Sequence, residues 1–308
     1  MPDEKTAERE RPQSIRIILP VMFCALLWGS AFPCIKAVYA DWNSRNIETN
    51  VLDIWLFAGI RFTIAGGALL LLAKNPRKEL AQSSKPLLVA FTASQTVGQY
   101  LFFYLALSFA SGSLASLLVS SGSFWWILLA PFIIKASWPT SKQWAAFTIG
   151  AVGITIASFS PDKLGSHPIL GTFLMLLSSG IGATGVLIYS KLKPTIGPRA
   201  GTGFSLFAGG LILCLISINA IPRIPALFSG PVVIITIWLS FVSAAAFAIW
   251  NHLSTIFPVP LLASYRFLIP LCGIIESFLF IRGESPTTIF FIGTLLVIIS
   301  LIASQRVK

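Results

Sequence analysis

Four ionisable side chains of this 308-residue sequence stand out because they fall inside long apolar runs: Lys36, Arg61, Arg266 and Glu276. A charge at membrane depth costs several kcal/mol unless it meets a partner or a polar cavity, so each marks a candidate site. Arg266 offers a planar, bidentate fork suited to a carboxylate or phosphate. Pro270, four residues on and on nearly the same helix face, leaves open that Arg266 holds carbonyls freed at a proline break. Arg61, near the centre of its run, either shares that anion or anchors its helix to a neighbour through backbone hydrogen bonds. Lys36 follows Pro33. A proline kink would turn its ammonium inward toward a gate, whereas a straight helix lets its stem snorkel to the interface. Glu276 is a deep carboxylate suited to proton coupling, with a headgroup or a cation on another helix as the alternative partner. Ten residues from Arg266 is about 15 Å along a helix, too far for an easy direct pair.

The runs that carry these residues set the architecture. The chain is 55% hydrophobic and 11% charged, against about 25% charged in soluble domains, so a water-facing surface cannot be built from it. Apolar stretches predict helices at 17–40, 52–73, 86–109, 112–134, 142–159, 168–192, 201–220, 231–252, 258–281 and 286–304, each long enough for a hydrocarbon core of about 30 Å. The expected fold is all-α: a polytopic membrane protein of ten transmembrane helices. The polar residues 1–16 form an N-terminal tail with no cleaved signal peptide expected. With that tail inside, 15 of the 22 Lys and Arg residues fall in cytoplasmic segments and four in the opposite loops. The asymmetry predicts cytoplasmic termini in a multi-pass protein of the cell (plasma or inner) membrane.

Internal similarity divides the chain. Lys135-Ala-Ser-Trp-Pro139, with the span that follows, echoes Arg282-Gly-Glu-Ser-Pro286 and its span. Five helices separate the matches, an odd number, so two five-helix repeats, 17–159 and 168–304, are expected in inverted orientation, an arrangement common among secondary transporters.

The remaining residues add or exclude chemistry. Trp42, Trp55, Trp138, Trp144 and Trp238 lie near span ends and read as an interfacial belt. Trp28, Trp125, Trp126 and Trp250 lie deeper and either line a pocket for a flat group or pack helices together. Asn251, beside Trp250, is placed to orient a polar group. The glycines and serines at 178–185, with Gly66-Gly67 and Gly209-Gly210, allow close helix contact. Asp41, Glu48 and Asp53 gather in an outer loop that reads as solvated. His167 and His252 are too far apart in topology for a metal site, and the four cysteines lie in apolar runs without a CxxC pair. No metal or cofactor is expected, and the absence of a phosphate-binding loop argues against ATP-driven pumping. The net charge of +11 resides in connections between spans, which makes it an orientation signal rather than a nucleic-acid footprint.

Six short motifs in order carry a family resemblance: Trp28-Gly-Ser-Ala-Phe-Pro-Cys-Ile-Lys36, Arg61-Phe-Thr-Ile-Ala65, Tyr104-Leu-Ala-Leu107 with Ser113-Leu-Ala-Ser-Leu117, Trp250-Asn251, Pro270 and Gly283-Glu284. Together they resemble the EamA-type transporters of the drug/metabolite transporter superfamily. The resemblance implies a ten-helix exporter or exchanger of small metabolites, with a cavity lined by helices 1 to 4 and 6 to 9. Two departures are visible: Ser123-Phe-Trp-Trp126 replaces an expected proline, and the first-half counterpart of Gly-Glu reads Ala136-Ser137. The expected substrate-binding set is Arg266, Arg61, Trp28, Lys36, Tyr104, Trp126, Trp250, Asn251 and Tyr265, with Glu276 for proton coupling. The expected function is secondary transport of an amino-acid-like or other carboxylate- or phosphate-bearing solute by alternating access. The alternatives are efflux of cationic compounds and, further off, a membrane enzyme acting on lipid-linked substrates. The latter lacks the acidic or histidine cluster it would need.

Overall fold

A computed structural model describes residues 13–160, 165–257, 265–266, 268–285 and 287–305. Ten apolar segments form helices: α1 (Gln13–Ser44), α2 (Val51–Leu71), α3 (Lys85–Thr92, a π turn Ala93–Gly98, then Gln99–Phe109), α4 (Gly112–Val119 and Gly122–Ile134), α5 (Ser141–Ser158), α6 (Pro168–Leu192), α7 (Pro198–Ile216), α8 (Pro231–Ile256), α9 (Leu268–Phe280) and α10 (Thr288–Gln305). The described residues contain no strand. By length and composition alone, six of these helices are apolar enough to cross a membrane, and α9 and α10 are shorter apolar helices. The protein is therefore an all-helical, multi-pass membrane protein.

Local chemistry sets the helix ends. Asn50 accepts from the amides of Leu52 and Asp53 while the Asp53 carboxylate accepts from the Asn50 amide, a reciprocal box that starts α2. Thr140 and Gln143 start α5 in the same way. Pro168, Pro198 and Pro231 open α6, α7 and α8, where a missing N–H costs no hydrogen bond. The expected ninth helix extended back to 258, but its described part begins at Leu268. Pro270 thus occupies the first turn of α9 rather than its interior, the position that proline tolerates.

Glycines let the helices pair closely. On α2, a Cβ at Gly59 would lie 2.9 Å from the Gly210 carbonyl of α7, and one at Gly66 would meet the backbone of Phe207. Gly153 of α5 and Gly293 of α10 face one another reciprocally, each Cβ position lying 2.6–2.7 Å from the other's carbonyl oxygen. Gly29 of α1 abuts Gly273 of α9. The principal pairings are α2 with α7, α5 with α10, α4 with α9, α1 with α8 and α9, and α6 with α3 and α4. This set is unchanged when each helix is exchanged for the one five places along the chain.

The helices alternate in direction, so their connections gather on two faces: a near face, where α1 begins, and a far face, where it ends. On the far face, Arg223 bonds the Asp53 carboxylate and the Glu48 carbonyl, and Arg45 bonds Asp41, the Ala226 carbonyl and Ser229. Asp53, expected in a solvated loop, is fully buried. Its place in the capping box and its ion pair with Arg223 give the charge the partners that burial requires. Trp42, expected in an interfacial belt, is also buried: a short helix, Ile224–Leu227, covers it and the Leu227 carbonyl accepts its indole N–H at 2.9 Å. On the near face, Glu79 accepts from the Gly197 amide, and Ser83 bonds Thr195.

Candidate functional site

Lys36 and Glu284 meet at the far-face turn between α3 and α4. The Lys36 ammonium donates to the carbonyls of Leu107 and Ala110 at 3.0 Å each, and so neutralises the C-terminal end of α3. The Glu284 carboxylate accepts from the amides of Gly112 and Ser113 at 2.7 and 2.9 Å, capping the N-terminal end of α4. A cation on the carbonyl end and an anion on the amide end is the arrangement that both helix dipoles favour.

Arg61 lies deeper, 3% exposed, and is engaged in three directions. Its Nε donates to the Leu239 carbonyl, one terminal nitrogen to the Tyr104 hydroxyl and the other to Ser243 Oγ. Its own carbonyl accepts from Ser240. The guanidinium also lies 4.9 Å from the centre of the Phe62 ring, a favourable cation–π distance. Tyr104, expected among the substrate contacts, is fully buried on Arg61, and its backbone carbonyl accepts from the Tyr39 hydroxyl.

Arg266 is placed differently. It precedes the first turn of α9 and lines a cleft with residues of α3, α4 and α6. Gln95, Gln99 and Phe103 come from α3; Val119, Gly122 and Trp126 from α4; Ser178, Ser179, Gly182, Ala183 and Val186 from α6. Among the described residues, the Arg266 guanidinium has neither a carboxylate nor a hydrogen-bond partner. The open space is about 80 Å³, enough for a small polar group but well below the roughly 300–1,000 Å³ of a site enclosing a drug-sized ligand. Two departures from regular helix border it, the π turn of α3 and the Ser120-Ser121 interruption of α4. Irregular backbone at membrane depth is tolerated where it is buried in protein or lines a polar cavity, and π turns are frequent at functional sites.

Trp28 and Trp250 form a separate aromatic group, with ring centres 5.6 Å apart and Phe247 5.4 Å from Trp28. Tyr265 and Trp250 pack against Ile17, Val21 and Leu253. This group joins α1, α8 and the start of α9, the helices that take the places of α6, α3 and α4 under the five-place exchange. One position is thus open and polar, and its mate is filled by rings. The side chain of Asn251 lies outside the described residues. Glu276, 9% exposed, packs against Gly29, and its Oε1 has no hydrogen-bond partner among the described residues.

Of the expected set, the cleft brings together Arg266 and Trp126, while Arg61 with Tyr104, Lys36, and Trp28 with Trp250 occupy three other places. The residues missing from that set are Gln95, Gln99, Ser178 and Ser179. Their signal is two glutamines four apart within a largely apolar run, facing a serine-glycine stretch of α6 that packing also explains.

Ten apolar helical segments, glycine-mediated pairing and a polar cleft among the described residues define a multi-pass membrane protein with an internal site. The EamA-like transporter family matches residues 15–159, the first half of the chain. The chain is 25% identical over 307 residues to "Uncharacterized transporter YvbV" of Bacillus subtilis (strain 168), covering 95% of this chain and 92% of that protein. A shorter match, 32% identical over 105 residues, is to "Protein BTN1" of Candida albicans and spans 25% of that protein. A solved crystal structure superimposes with a TM-score of 0.58 over 95% of this chain and 96% of its own at 17% identity, a likeness of fold.

Proposed function

We propose that the chain is a secondary exporter or exchanger of a small organic anion or zwitterion, amino-acid-like or otherwise bearing a carboxylate or phosphate. The observation that carries this reading is the Arg266 guanidinium, without a partner among the described residues, in a cleft whose described lining includes no acidic residue. A free guanidinium at mid-membrane is costly, and an anionic cargo offsets that cost with two parallel charge-assisted bonds. In this reading Arg61 anchors α2 to α3 and α8, and Lys36 and Glu284 close the far face. Glu276 carries the coupling proton. The pairing set unchanged under a five-place exchange supports two inverted five-helix repeats, 17–159 and 168–304, rocking about the cleft. The excess of basic residues in the near-face segments supports cytoplasmic termini in the cell membrane.

The test is transport and binding by purified protein in proteoliposomes, with amino acids, sugar phosphates, nucleosides and cationic dyes offered separately. Arg266→Ala is expected to lower transport of the anionic cargo about 10- to 100-fold, the worth of a charged hydrogen-bonding group. Unchanged transport of every anionic cargo overturns the assignment. Binding of cationic dyes alone makes the chain a cation exporter instead.

A further inference from the structure

We infer that Gln95 and Gln99 select the cargo by its uncharged or amine hydrogen-bonding groups, so that the transported anion also carries a hydroxyl, amine or amide. The inference rests on the reading of Arg266 as the anion site. Both glutamines lie in the middle of α3 and line the cleft. They hold one another through a single long bond, Nε2 of Gln95 to Oε1 of Gln99 at 3.3 Å. Among the described residues, the other end of each carboxamide, Oε1 of Gln95 and Nε2 of Gln99, makes no bond. Whichever way the two amides are turned, the pair offers at least one donor and one acceptor. A polar group left short of partners at this depth is unfavourable unless something entering the cleft completes it.

The opposing helix is shaped around these side chains. A Cβ at Gly182 would collide with the Gln99 carboxamide, and one at Gly185 would lie 2.9 Å from the backbone and Cβ of Gln95. Ser178 Oγ donates to the Gln99 carbonyl at 2.8 Å, which fixes the backbone under the amide. The π turn Ala93–Gly98 includes the first glutamine and ends immediately before the second. The serine-glycine stretch of α6 is therefore a seat for two amides as well as a packing surface. With no acid among the described residues that line the cleft, an amine on the cargo would be recognised by amide oxygens rather than by a counter-charge. Cargo that is cationic overall is disfavoured.

The experiment measures binding to full-length protein in proteoliposomes with two matched probe series. One is propionate, lactate and alanine; the other is 3-phenylpropionate, phenyllactate and phenylalanine. Within each series the members share a carboxylate and differ by a hydroxyl or an amine. The wild type is expected to prefer the hydroxyl- or amine-bearing members by about tenfold or more, as a site built to hydrogen-bond such a group does. The double variant Gln95→Leu/Gln99→Leu should lose that preference while still binding the bare acid. Gln99→Glu should move the preference toward the amine-bearing member and weaken the bare acid, a gain that a misfolded protein could not produce. Arg266→Ala should weaken all members alike. If the double variant retains the wild-type preference, or loses all members equally while remaining monodisperse, the glutamine assignment is overturned and the Arg266 reading stands. If no member of either series binds the wild type, both fall.

Discussion

Arg61 and Arg266 are both arginines in a lipid-embedded fold, the first buried and the second partly exposed, and their surroundings are opposite. Arg61 spends its donors on α8 and on Tyr104 and touches an aromatic face. Arg266 borders open space and has no partner among the described residues. A charge within a span is thus an insufficient sign of binding. The informative quantity is how many of its donors the protein itself uses, because only spare donors are available to cargo.

The comparison can be broken most forcefully at Arg61. Arg61→Ala would strand the Leu239 carbonyl, the Tyr104 hydroxyl and Ser243, and is expected to cost about 3–5 kcal/mol of stability, read as a collapsed yield of monodisperse protein and a lower melting temperature in detergent. Arg266→Ala should leave the melting temperature unchanged or raise it, because it removes a charge with no partner among the described residues, while transport falls as stated above. Equal loss of stability at both positions would remove the distinction. A smaller effect is expected for Tyr104→Phe, which removes one acceptor from a buried guanidinium and should cost about 1–3 kcal/mol without altering the order of cargo preference. Arg266→Lys keeps the charge and loses the fork, so transport should fall by less than about tenfold. The smallest effect belongs to Lys36→Met, which frees two carbonyls at the end of α3 and should cost about 1 kcal/mol. It should appear as faster alkylation of Cys34 on the same helix, with cargo selectivity unchanged.

Much of this was legible in the sequence, and for identifiable reasons. Long apolar runs must become helices in lipid because backbone groups have no other partners there, so the predicted spans lie within a few residues of the observed ones wherever both ends are described. Gly66 and Gly210 were readable as contact points because small residues are what close helix pairs need. The cleft was only half legible. Arg266 and Trp126 drew notice by charge and size, but Gln95 and Gln99 are neutral, and no residue pattern announces a π turn. The burial of Trp42 and Asp53 is not legible in the sequence, because position along a span says nothing about which loop folds over it. Here the segment carrying Arg223 and Leu227 covers both. The Gly283-Glu284 motif was recognised, but its partner, the amide end of α4, became visible only in three dimensions.

The clamp at the α3–α4 turn has an electrical consequence. Moving one elementary charge through a membrane potential involves about 2.3 kcal/mol per 100 mV. Lys36 and Glu284 hold the two ends of the same short turn with opposite charges, so any displacement that carries them together does almost no net electrical work. In the proposed transport cycle this pair adds almost nothing to a dependence of turnover on membrane potential, which would report other charges, the cargo's among them.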